Sequence, residues 1–151
     1  VELPVFYMAG GSTRVGQRVS LNLFEPRYRA LASIVSATHR LFIFALSDPS
    51  VGSRGVVVRV NRCEFTRNGN AQVTGRGIEE VTLSRVRVER AAGGLCYAKC
   101  SLTSAAARSA FSGREDLEDS ASEPGDFADP GDNDISIRRD ASCAPASCTL
   151  M

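Results

Sequence analysis

Glu25, Arg27 and Arg29 are the most suggestive polar side chains of the chain, set at alternate positions in the stretch Leu21-Asn22-Leu23-Phe24-Glu25-Pro26-Arg27-Tyr28-Arg29-Ala30-Leu31. A carboxylate at the start of a helix gains from the positive end of the helix dipole, and neighbouring arginines then stand solvated or bridge to a sheet. The sharper reading is that Arg27 and Arg29 help line a groove for a peptide partner. Both readings remain open at the level of sequence.

Other residues of reactive type fail on spacing. His39 is the one histidine, so no second histidine closes a pair or triad, and at a predicted helix end its ring gains from the dipole. Glu79 and Glu80 are adjacent in a predicted strand and project to opposite faces, so they make no acid–base dyad. Gly11 and Gly16 have the spacing of a phosphate-binding loop, yet Gln17 and Arg18 stand where Lys and Ser/Thr are needed, and a strand follows instead of a helix. Lys99, the single lysine, sits mid-strand and faces outward, which leaves no Ser–Lys pair for proteolysis. The expectation is no enzyme and no cofactor.

Five cysteines stand at 63, 96, 100, 143 and 148, an odd number without repeated spacing, which argues against a disulfide framework. Cys96 and Cys100 share one strand face, but no second Cys or His pair completes a tetrahedral zinc site. Buried thiols in a reducing compartment, cytoplasm or nucleus, are the expectation. Cys148-Thr149-Leu150-Met151 fits the C-a-a-X prenylation pattern, with Cys143 available for acylation. Against it stands an acidic neighbourhood relieved only by Arg138-Arg139, so a chance match competes with lipidation, and a membrane is a partner only if Cys148 is prenylated.

The elements that position these residues are written in the periodicity. Residues 3–7 read as a strand; Val19, Leu21 and Leu23 alternate as a second. At Glu25-Pro26 the period changes from two to about 3.6. Pro26 suits a first helical position, and Tyr28, Leu31, Ala32, Ile34 and Val35 then fall on one side of a helix ending near Ala37. Residues 41–46 form a continuous apolar run closed by Ser47-Asp48-Pro49-Ser50. A long strand over 54–66 turns at Asn68-Gly69 and returns over 71–74, with a break or bulge expected at Gly75-Arg76-Gly77. Val81 and Leu83 share one parity and Val86 and Val88 the other, which predicts a β-bulge near Ser84-Arg85. Ala92-Gly93-Gly94 turns the chain into a last strand, with Cys96, Ala98, Cys100 and Leu102 inward. The fold expected is mainly β with one short helix, about seven strands curled into a mostly antiparallel sheet.

Phe24-Glu25-Pro26-Arg27-Tyr28-Arg29 resembles the signature of the Lon N-terminal domain, the substrate-binding module at the front of Lon proteases. That module also occurs in small stand-alone bacterial proteins, in RING-finger ubiquitin ligases and in cereblon. Leu3-Pro4-Val5-Phe6 resembles the family's opening strand. Arg40-Leu41-Phe42-Ile43-Phe44, Val51-Gly52, Val60, Asn68-Gly69, Gly77 and Tyr97-Ala98 follow in its order and spacing. The likeness spans residues 3–102 and implies a PUA-like pseudo-barrel in which the six-residue signature is mostly structural. It also implies polypeptide substrates or partner proteins, read for a ubiquitin ligase or a Lon-type protease.

Charge divides the chain. Residues 1–103 hold 14 basic and 7 acidic side chains, a net of +7, whereas residues 104–151 hold 4 and 10, a net of −6. Residues 104–113 extend weakly as helix. Residues 115–134 then place nine acids among Ser, Pro and Gly, and 104–151 as a whole are expected to be an acidic, disordered tail. Seventeen of eighteen basic residues are arginine, spread over many strands without interleaved aromatics, which weighs against nucleic acid. The alternative to a peptide reader is an RNA or small-molecule binder of the PUA-like group. The chain opens on valine, so further modules upstream are left open.

Overall fold

In the computed structural model, which describes residues 1–113, the apolar alternation becomes a seven-stranded mixed sheet. The elements are β1 (Glu2–Tyr7), β2 (Arg18–Leu23), α1 (Pro26–Ala37), β3 (Leu41–Ala45), β4 (Arg54–Phe65), β5 (Ala71–Thr82), β6 (Arg85–Glu89), β7 (Leu95–Lys99) and α2 (Ala105–Phe111). A 3-10 turn at Arg90–Ala92 joins β6 to β7, with Gly93 and Gly94 at positive φ. The strand order is β2-β5-β4-β3-β1-β7-β6, so the ladder has two ends and does not close.

Every neighbouring pair is antiparallel except β1 with β3, which run parallel with Val5 opposite Ile43. A parallel pair needs a crossover. Here β2 and α1 supply it, and α1 lies on the sheet face it crosses. Tyr28, Leu31, Ala32 and Val35 of α1 are buried there against Phe6, Phe42, Phe44, Val58 and Val73. The opposite face holds a second cluster that includes Leu3, Val5, Ile43, Val57, Val81, Leu83 and Ala98, with Ala110 and Phe111 of α2 packed on it. Central strands are therefore covered on both sides, which is why all five residues of β3 are buried and its sequence runs apolar without alternation. His39 lies beyond the last turn of α1, and its ring packs on Phe111 with centroids 4.3 Å apart.

Two expectations of strand layout are corrected. Gly75-Arg76-Gly77 makes no break: β5 runs unbroken through it. The glycines permit close approach instead, since a Cβ at Gly75 would overlap the Arg59 carbonyl oxygen and one at Gly77 the Arg14 carbonyl oxygen. Nor is there a bulge near Ser84-Arg85. There β5 ends and the chain crosses to β6, which pairs with β7 and not with β5. The bulge half of the Gly75-Arg76-Gly77 expectation holds: the β4–β5 register shifts at both ends of that segment, where Ile78 and, on β4, Asn61 are left out of the pairing. A parity change signals that the chain turns over, and a corner does this as well as a bulge.

The weak helical reading of residues 104–113 becomes α2, a second helix beside the one expected in the sheet's core. Ser104 is its N-cap, accepting the Ala107 N–H at 3.1 Å. Residues 115–134, Cys143, and the Cys148 prenylation motif lie outside the described residues. Among the described residues no helix is long and apolar enough to cross a membrane.

Candidate functional site

The joint between β2 and α1 presents an apolar concavity. A groove of about 300 Å³ opens between the end of β1 (Phe6, Tyr7, Met8, Ala9) and the turn from Asn22 to Tyr28. Pro26 starts α1 and Glu25 precedes it in extended conformation, so the chain changes direction within one residue and holds Phe24 out of the core. Phe24 is 65% exposed and Met8 51%, and both line the groove. Two large apolar side chains left in water beside a cavity are informative where scattered ones are not.

The floor is rigid. Tyr28 packs its ring on Phe6 with centroids 4.6 Å apart, and its hydroxyl donates to the Tyr7 carbonyl oxygen, tying α1 to the end of β1. Burial pushes the Tyr28 phenol above the ordinary tyrosine range. Replacing Tyr28 with Phe removes this tie and leaves a half-buried carbonyl short of a donor. The expected cost is about 1 kcal/mol in denaturant unfolding, with the fold retained.

Glu25 makes no side-chain cap bond. Its carboxylate accepts from Arg27 Nε at 2.8 Å, and the Arg27 guanidinium lies 4.5 Å from the Tyr28 ring centroid. Phe24, Glu25, Arg27 and Tyr28 therefore share one groove. Arg29 does not join them. With Pro26 it borders a separate, open depression that also contains Phe65 and Gly69, and a Cβ at Gly69 would come within 2.7 Å of its Nη2. Of the two arginines predicted to line a groove, the helix geometry brings one to it: side chains two positions apart project from different sides.

Sequence reasoning missed the fate of Glu79. It is 7% exposed, and its carboxylate accepts from four donors, the backbone N–H and hydroxyl groups of Thr103 and Ser104. Burial alone would raise its pKa, but these hydrogen bonds outweigh burial and hold the carboxyl below the ordinary carboxylate value. Glu79 thus fixes the start of α2 while Glu80 pairs outside with Arg54 at 3.0 Å. The role of this carboxylate is structural, since its four donors are the groups that begin α2. Among the described residues no three His, Cys, Asp or Glu side chains group to hold a metal.

No protein-family model matches the sequence, and no curated protein matches it. Solved structures do. A Lon N-terminal domain protein from Xanthomonas campestris superposes with a TM-score of 0.56 at 25% identity, over 67% of this chain and 59% of that one. The chain carries a Lon N-terminal-like domain. The N-terminal domain of the Mycobacterium avium complex Lon protease shares the fold, with a TM-score of 0.51 at 18% identity over 69% of this chain and 55% of that one. The chain thus spans less than two thirds of the length of either structure. In this Lon N-terminal-like domain, the segment Phe24–Arg29 occupies the strand-to-helix joint, and Phe24, Glu25, Arg27 and Tyr28 of it line the groove.

Proposed function

We propose that this Lon N-terminal-like domain is a non-catalytic reader of polypeptide segments, which it holds at the groove between β1 and the β2–α1 joint. The observation that carries the reading is the pair Phe24 and Met8, exposed beside an apolar cavity on a floor pinned by Tyr28. Apolar contacts of this kind select for exposed hydrophobic side chains rather than for one sequence, so affinity is modest and permissive. The resemblance to a Lon protease domain supports substrates destined for degradation as the ligands, with a protease or a ubiquitin ligase as the attached machinery.

The test is fluorescence anisotropy with a reduced, carboxymethylated polypeptide that cannot refold. Phe24→Ser is expected to weaken binding about tenfold or more while leaving the melting temperature unchanged, because an aromatic anchor is lost and no core contact is. Unchanged affinity in Phe24→Ser and in Met8→Ser would remove the groove from consideration.

A further inference from the structure

Three arginines that are far apart in sequence stand side by side on the sheet. Arg18 of β2 lies opposite Arg76 of β5, and Arg76 lies opposite Arg59 of β4. All three are exposed and on one face, a row about 10 Å long across three strands. Like charges directly opposite one another are destabilising. Four arginines outside the row, Arg27, Arg54, Arg62 and Arg87, each hold a carboxylate within 2.6–3.1 Å. None of the three in the row has such a partner among the described residues.

The row begins on an open edge. β2 is terminal in the sheet, so alternate residues turn their backbone N–H and C=O groups away from β5 with no strand to meet them. On its other face β2 presents Val19, Leu21 and Leu23, and two depressions flank that side. One is the groove already described. The second, of about 200 Å³, runs along the β2 edge, lined by Arg18, Val19, Ser20 and Leu21 and, across from them, by Met8, Gly11, Thr13 and Phe44. The Thr13 hydroxyl there is buried, with the residue 4% exposed, and has no hydrogen-bond partner.

We propose that the polypeptide segment read by this domain adds as a strand to the free edge of β2 and alternates acidic with apolar residues. The inference rests on the groove reading and names the partner's chemistry. Strand pairing satisfies the outward backbone groups, and period-two alternation sends one set of side chains to each face. Carboxylates on the Arg18 side extend the arginine row with opposite charge. Apolar side chains on the other side enter the two depressions. Nucleic acid fits less well, because the residues next to the row in register are Ser20, Thr74 and Arg62 and offer no ring for a base to stack on.

The experiment uses the full chain and fluorescent ten-residue peptides alternating Leu with Glu, Lys or Thr, measured by anisotropy at low and high salt. The Glu peptide is expected to bind about tenfold tighter than the Thr peptide, and the Lys peptide more weakly still, with differences that shrink at high salt. Arg18→Glu combined with Arg76→Glu should erase the preference for Glu over Lys peptides or turn it toward Lys. N-methylation of alternate backbone amides should abolish binding of all three. Equal affinity for Glu and Lys peptides, or tight binding of the N-methylated peptide, overturns the proposal. If the Thr peptide binds in a Phe24-dependent way without any acidic preference, the groove reading survives and this inference does not. If no peptide binds, both fail. A single-stranded RNA of twenty uridines that binds with a steep salt dependence, while the Glu peptide shows no advantage, assigns the row to phosphates instead.

Discussion

Gly75→Ala is expected to destabilise the domain by about 3 kcal/mol, a lowering of the melting temperature by more than roughly 10 °C. The added methyl has nowhere to go. Its nearest neighbours would be the Arg59 carbonyl oxygen and a Val58 methyl at 2.9 Å, and the carbonyl belongs to the adjoining strand rather than to a flexible side chain. Relief requires β4 and β5 to separate at Val60 opposite Gly75, next to the point where Asn61 is already left out of the ladder. Gly52→Ala provides the contrast. Gly52 has φ +87 but open space around the position of a Cβ, so the penalty there is the conformational one alone, about 1–2 kcal/mol. Thermal melts of the two variants separate steric from torsional cost. A Gly75→Ala protein that melts with the wild type would mean that β4 and β5 are not in contact at Gly75.

Glu79→Ala is the second large effect. It leaves the N–H and hydroxyl groups of Thr103 and Ser104 without their acceptor in a half-buried site, at an expected cost of about 2–4 kcal/mol. The loss is concentrated in α2, because Ser104 is both a donor to Glu79 and the N-cap of that helix. Amide exchange should therefore accelerate first over Ala105–Phe111, before β3 or β4. Glu79→Gln retains the shape and one acceptor and is expected to lose less.

The same carboxylate predicts a pH dependence. Its folded-state pKa lies below the unfolded value, so the folded protein resists protonation and the linked stability is present above the unfolded pKa. It is lost as pH falls from about 4.3 through the lower folded value. Wild type should lose stability in that acid window more steeply than Glu79→Gln. Parallel acid profiles for the two proteins would assign no linkage to Glu79.

The signature Phe24–Arg29 was legible in the sequence because everything that makes the joint is local. A proline at the first helical position, a change of period from two to about 3.6, and apolar residues at Tyr28, Leu31 and Val35 need no distant partner to be read. The apolar run at residues 41–46 was legible as a strand for the same reason. What it pairs with was not. The parallel partnership of β1 with β3 depends on where α1 carries the chain. Gly75 and Gly77 read as a break because glycine is the usual punctuation of a turn; the Arg59 and Arg14 backbones that require them lie at remote positions.

The sequence by itself determined the alternation of the strands and the start and apolar face of α1. Those properties follow from neighbours within a few residues. Only the tertiary structure decided that Glu79 would be buried against Thr103 and Ser104 and that Arg18, Arg59 and Arg76 would form a row. Strand register sets those meetings, and register is a long-range property: shifting one strand by a single residue would send every one of its side chains to the other face.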